Sequence, residues 1–215
     1  MLRSRDIILV PKGAEYGAVC RGVARRTAEK PRVVAIAIGS IALRDFLQEW
    51  KQSIDFLDKP ERQIVLVGLA GSLSDRYGVG EVVSYRGCGR ENGEYFPCSA
   101  EWTEYPRVKG LTGDRVIDRA IEKRELGQRA GYDVVDMEGS IVLEALNGLN
   151  VGVIRVISDA VGQDLPDLQG AIDANGDLQP IPLAIAMIQR PIAAFHLIRG
   201  SLRALKVLEE VARIL

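Results

Sequence analysis

Short apolar runs rich in β-branched residues alternate along this chain with stretches whose apolar positions recur every three or four residues. Residues 7–10, 33–38, 63–67, 82–85, 134–136 and 151–157 read as strands, most of them too apolar to face water on either side. Residues 16–29, 42–51, 118–130 and 139–146 carry helical spacing, with Gly131 and Gly148 as stops. The alternation predicts an α/β fold, a single domain over residues 1–215 with a central mixed, mostly parallel sheet between helices on both faces. From 163 to 180 the pattern breaks into Asp, Gly, Pro and Asn, a loop long enough to cover a site. Beyond it, 181–189 and 191–215 read as helices, with Pro191 suited to a helix start.

Composition narrows the classes of partner. With 215 residues and 47% hydrophobic content, the chain can bury a sizeable core and fits one domain better than two. Its 28 basic and 29 acidic residues leave a net charge of -1, so no overall charge calls for nucleic acid, and a small ligand is the expected partner. Residues 1–6 lead into the first strand without the apolar stretch of a signal peptide, and nothing reaches transmembrane length, so a cytoplasmic location is expected. The three cysteines, Cys20, Cys88 and Cys98, lack metal-ligand spacing and read as reduced structural thiols.

Candidate chemistry gathers at strand ends. Glu138 closes the run Val134-Val135-Asp136-Met137-Glu138 and Asp159 closes Val153-Ile154-Arg155-Val156-Ile157-Ser158-Asp159. Carboxylates that end neighbouring strands of one sheet meet at one rim, where one can hold a sugar hydroxyl while the other passes a proton. Each also has a plainer account: Glu138 favours the positive end of a following helix, and Asp159 caps a turn. Gly68-Leu69-Ala70-Gly71 after the third strand reads as a tight turn where backbone can approach a ligand closely. Gly78-Val79-Gly80 precedes a strand and opens no helix, so it fails the condition for a dinucleotide fingerprint.

Taken in order, Gly68-Leu69-Ala70-Gly71, Tyr77-Gly78-Val79-Gly80-Glu81-Val82-Val83, Thr112-Gly113-Asp114, Val135-Asp136-Met137-Glu138-Gly139 and Arg155-Val156-Ile157-Ser158-Asp159 resemble the purine nucleoside phosphorylase and methylthioadenosine/adenosylhomocysteine nucleosidase superfamily. Leu165-Pro166-Asp167, Asn175-Gly176 and the helix from Arg190-Pro191 to Arg203 look most like its hopanoid-associated phosphorylase group. The resemblance implies cleavage of the N-glycosidic bond of an adenine-type nucleoside: adenosylhopane, methylthioadenosine or adenosylhomocysteine. It makes Asp159 the acid toward the departing base, Glu138 the acceptor for ribose hydroxyls, and Met137 the residue packed on the sugar. Ala70, Gly71, Ser158, Val116 and Ile117 become substrate contacts. Glu15 matches the residue that activates water, although a helix-entry role accounts for it equally. The resemblance implies no metal or organic cofactor, and a homo-oligomer.

Departures from the superfamily pattern shift the expectation. Leu66 and Leu69 stand where bacterial phosphorylases carry an arginine and a hydroxyl residue toward phosphate, so water becomes the expected nucleophile. Phosphorolysis, with Arg21, Arg25 or Arg155 supplying charge and phosphate as co-substrate, is the alternative, and a binding module without turnover is another. Val116 and Ile117 replace the aromatic ring that stacks on the base, which leaves an apolar slot or a ring from Tyr85, Phe96 or Trp102. Residues 191–215 present an apolar and a basic face, suited either to an anionic lipid surface beneath a lipid-linked nucleoside or to packing on the domain or a second subunit. His196, the only histidine, reads as structural.

Overall fold

The computed structural model describes residues 1–53, 62–168 and 179–215. In chain order its elements are β1 (Ile7–Pro11), α1 (Ala14–Ala24), β2 (Arg32–Ile36), α2 (Ser40–Gln52), β3 (Gln63–Ser72), β4 (Val82–Gly89), β5 (Tyr95–Pro97) and β6 (Arg107–Thr112). These are followed by α3 (Ala120–Ala130), β7 (Val134–Asp136), α4 (Gly139–Ala145), β8 (Asn150–Asp159), α5 (Pro180–Gln189) and α6 (Pro191–Ile214).

Period-two alternation along β1, β3 and β8 sends side chains to two separate cores. Ile7, Leu9, Ile64, Leu66, Val151 and Val153 join Leu43 and Leu47 of α2 and Ile141 and Val142 of α4 on one face. Ile8, Val10, Val65, Val67, Ile154 and Val156 meet Ala18 and Val19 of α1 and Ala204 and Leu208 of α6 on the other. Both sides of these strands are therefore dry, as their near-continuous apolar sequence requires. A smaller cluster of Leu73, Leu111, Ile117, Leu126 and Val135 lies under α3.

The sheet partly closes on itself. β1 runs parallel to β2 and β3, and β3 runs parallel to β8 from Gln63 opposite Asn150 onward. β8 pairs antiparallel with β4, β4 parallel with β6, β6 parallel with β7, and β7 returns antiparallel to the end of β3 with Gly71 opposite Val135. β3, β8, β4, β6 and β7 thus form a cycle, with β2–β1 as a wing on β3 and β5 as a hairpin partner of β4. The β3–β8 ladder slips once: Ala70 faces Ile157 and Gly71 faces Asp159, so Ser158 is an extra residue. Such a bulge re-aims the side chains beyond it.

The structure corrects several sequence expectations. Residues 68–71 are not a turn: β3 continues through them to Ser72. β5 and β6 were absent from the sequence reading, because Arg107 and Lys109 interrupt the apolar pattern and Gly110 adds no apolar side chain. α1 stops at Ala24 instead of reaching residue 29. Past it the Arg26 side chain bonds to the carbonyls of Glu29 (3.1 Å) and Leu2 (3.0 Å), tying this connection to the N-terminal segment. Gly131 caps α3 in the left-handed region with φ of 68°, as its position predicts. Of the loop expected over 163–180, residues 169–178, including Asn175 and Gly176, lie outside the described residues.

Candidate active site

One cleft of about 220 Å³ opens where β1, β3, β7 and β8 end. Asp159, Glu15, Glu138, Met137, Ala70, Gly71, Val116, Ile117 and Ser158 all line it. The two carboxylates from the ends of separate strand runs therefore share a cavity with the glutamate that follows β1. Pro11, Ile38, Leu69, Val135, Leu165, Leu168 and Leu197 complete an apolar wall that contains no aromatic ring among the described residues. Tyr85, Phe96 and Trp102 do not line the cleft: Tyr85 is buried beneath Asp136 (3.2 Å), and Trp102 packs in the core beside Ile154.

The expected cations are elsewhere. Arg21 and Arg25 pair with Glu209 on α6 and are largely exposed. Arg155 is fully buried behind the cleft, where its Nε donates to Asp136 Oδ2 (2.9 Å) and its Nη2 to Glu138 Oε2 (3.0 Å). Asp136 also accepts from the Thr112 hydroxyl (2.9 Å) and the Gly139 amide (3.0 Å), so the guanidinium is locked between two anchored carboxylates. Burial works against the charge of Arg155, but Asp136 and Glu138 outweigh it and hold its proton more tightly than usual. Its Nη1 has no hydrogen-bond partner among the described residues and lies toward Glu15 across Gly68. A Cβ at Gly68 would overlap both Arg155 Nη1 and Glu15 Oε2, which is why this strand position has no side chain. Arg115 is the cation that lines the cleft, and it is paired with Glu122.

Glu15 enters from the first turn of α1, and its Oε2 accepts the amide of Leu69 at 2.8 Å. The residue as a whole is half-buried, and its carboxylate lies between the Leu69 amide and Arg155 beside Gly68. Burial, reinforced by Glu138, pushes its pKa up to about 8 against the opposing pull of Arg155 and the Leu69 amide. Glu138 follows β7 at the N-cap of α4, where burial raises its pKa to about 7 while Arg155 holds it down. The Glu138 charge is thus one of the causes that keep the Glu15 carboxyl protonated to higher pH.

Asp159 ends β8 and is buried. The Lys123 ammonium of α3, 1% exposed, bonds to its Oδ1, while the Ser158 hydroxyl lies 2.8 Å from its Oδ2 and 3.2 Å from the Ala70 carbonyl. Lys123 Nζ also donates to the Gln163 carbonyl at 3.1 Å. A Cβ on Gly71 would sit 3.0 Å from Asp159 Oδ1, so that glycine leaves room for the acid.

The layout is that of a known fold. The nucleosidase fold accounts for the whole chain. Futalosine hydrolase of Helicobacter pylori superposes with a TM-score of 0.68 at 12% identity, covering 97% of this chain and 96% of its own. A 5'-methylthioadenosine/S-adenosylhomocysteine nucleosidase from the same organism, bound to butyl-thio-DADMe-Immucillin-A, gives 0.66 at 13% identity over 100% of both chains. The 5'-methylthioadenosine nucleosidase of Arabidopsis thaliana gives 0.69 at 13% identity, covering 98% and 93%. By sequence, the chain matches no protein-family model and no curated protein. The single-domain α/β architecture expected from the pattern is thus the nucleosidase architecture.

Sequence reasoning missed Lys123 and misjudged Arg155. Arg155 did carry a signal: a lone charge inside a strand buried on both faces requires an opposite charge nearby. Lys123 carried none, because it lies among Arg119, Glu122, Arg124 and Glu125 in a stretch that reads as a solvated helix face.

Proposed function

We propose that this protein hydrolyses the N-glycosidic bond of an adenine-type purine nucleoside. The observation that carries the proposal is that Asp159, Glu138 and Glu15 line one cleft with an apolar wall, at the strand ends of a nucleosidase fold. In this reading the purine lies in the slot of Val116, Ile117 and Leu165, and Glu138 accepts hydrogen bonds from the ribose hydroxyls. Met137 packs on the sugar. Glu15 takes a proton from water as the water oxygen bonds to the anomeric carbon, while the glycosidic pair of electrons leaves with the base. The base takes a proton from Asp159. Lys123 acts through Asp159 by holding its carboxyl at Oδ1, and solvent returns a proton to Asp159 and removes one from Glu15.

No metal or organic cofactor enters these steps. Water is favoured over phosphate as nucleophile because Arg21 and Arg25 lie outside the cleft and Arg155 is committed to Asp136 and Glu138. The 5' substituent belongs to the methylthioadenosine, adenosylhomocysteine or adenosylhopane class, the last following from the resemblance to the hopanoid-associated group. Homo-oligomerisation and action in the cytoplasm belong to the same reading. The test is adenine release from these three nucleosides, with and without phosphate. Phosphate-independent release of free sugar is the expected outcome, strict phosphate dependence with a sugar 1-phosphate product would select phosphorolysis, and binding without release would leave a binding module.

A further inference from the structure

Most of the large apolar side chains left exposed among the described residues lie on α5 and the first half of α6. Ile181, Ile185 and Ile188 recur at helical spacing along α5, 74%, 51% and 79% exposed, and no residue of this helix is charged. On α6 the row continues through Ile192, Phe195, Ile198 and Leu202, all exposed, while Ala193, Ala194, Ala204 and Leu208 turn inward. An apolar surface of this extent on a folded chain marks a partner. Beside the row runs a second stripe, Arg199, Arg203 and Lys206, and no acidic residue occurs from 179 to 208. Phe195, Ile198 and Leu202 with these three cations line a mainly apolar groove of about 440 Å³.

We infer that the α5–α6 face is a membrane-interface surface that seats its isoleucines among acyl chains and its cationic stripe among anionic lipid headgroups. Two arguments choose lipid over a second copy of this chain. In a two-fold contact the same patch meets itself, so Arg199, Arg203 and Lys206 of each copy would lie against a patch that carries no acid to offset them. A bilayer containing anionic lipid supplies both the apolar depth and the negative charge. The helices are also bent by 119° at their junction, and among the described residues no single helix is long and apolar enough to cross a membrane, although this bent pair together meets that length and composition. Such a pair fits a segment lying in the interface better than one spanning it. The surface argument stands without the catalytic reading.

The test is co-sedimentation of the full chain with phosphatidylcholine vesicles and with vesicles containing about 30% phosphatidylglycerol. Binding to the anionic vesicles is expected, reduced on the order of tenfold or more by Arg199→Gln with Lys206→Gln, and weakened by about 0.5 M salt. Ile185→Asp with Ile188→Asp should abolish it while circular dichroism and adenine release from a soluble nucleoside stay unchanged. Failure to bind either vesicle overturns the inference. So does binding that the cation substitutions leave untouched. A stable dimer dispersed by the isoleucine substitutions, without vesicle binding, overturns it and assigns the face to a second copy.

Discussion

Around Arg155 the residue-scale energetics turn on which carboxyl carries a proton. A carboxyl whose folded pKa is raised stabilises the protein fully below its unfolded value and loses that contribution as pH rises through the folded value. For Glu15 this window runs from about 4.5 to about 8. Glu15→Gln mimics the protonated form and can still accept the Leu69 amide, so its melting temperature should match the parent near pH 4 and exceed it by several degrees at pH 9, at roughly 2–4 °C per kcal/mol. The same substitution removes the proposed base, and parent kcat/KM should rise with pH toward about 8, a limb that Glu15→Gln lacks. A flat parent profile would argue against Glu15 as base. Arg155→Met would leave Asp136 and Glu138 without their counter-charge, and a loss of about 3–5 kcal/mol in urea unfolding is expected. Lys123→Met should lower kcat about 100-fold or more while adenine affinity stays within about threefold, because the lysine touches the acid and not the ligand. If KM rises with kcat unchanged, Lys123 only shapes the cleft. Glu138→Gln should cost less with a 2'-deoxynucleoside than with the ribonucleoside.

Elements differ in how far the chain announces them, and the reason is what each strand faces. β1, β3 and β8 are covered on both sides, so unbroken apolar runs reveal them. β6 turns Lys109 to solvent and places Gly110 under the Tyr85 ring, so its sequence looks like a loop although its ladder to β4 is regular apart from one shift. The strand-end carboxylates Glu138 and Asp159 and the position of Glu15 were readable, since placement at a rim follows from strand order alone. What stayed hidden was the lysine arriving from α3, whose pairing depends on packing between elements that period alone does not encode; the arginine within β8 signalled that an acid must lie near it, but not which one. Gly68→Ala tests the packing at this level. Its added methyl must displace Arg155 or Glu15, so a loss of at least about 2 kcal/mol is expected, against well under 1 kcal/mol for a strand glycine with open space.

At the scale of the molecule, the cycle β3–β8–β4–β6–β7 draws into one cleft residues that are up to 186 positions apart, from Pro11 to Leu197. Ligand in that cleft therefore bridges α1, the sheet rim and α6. Saturating the protein with adenine at about 100 times Kd should stabilise global unfolding by about 2.7 kcal/mol, read as a shift in melting temperature. No shift at that saturation would remove the base from the cleft.

The doubled residue at Ser158 has a corollary for variation in this chain. Asp159 lies opposite Gly71 with Ser158 as the extra residue after the Ala70–Ile157 pair, so deleting Ser158 would make the ladder regular, leave the terminal acid opposite Gly71, and remove the hydroxyl that bonds to its Oδ2. Surface connections can lengthen or shorten without touching chemistry. Here a single-codon deletion in a buried strand should yield a folded protein that keeps the proposed proton donor at the rim and lacks one of its hydrogen bonds.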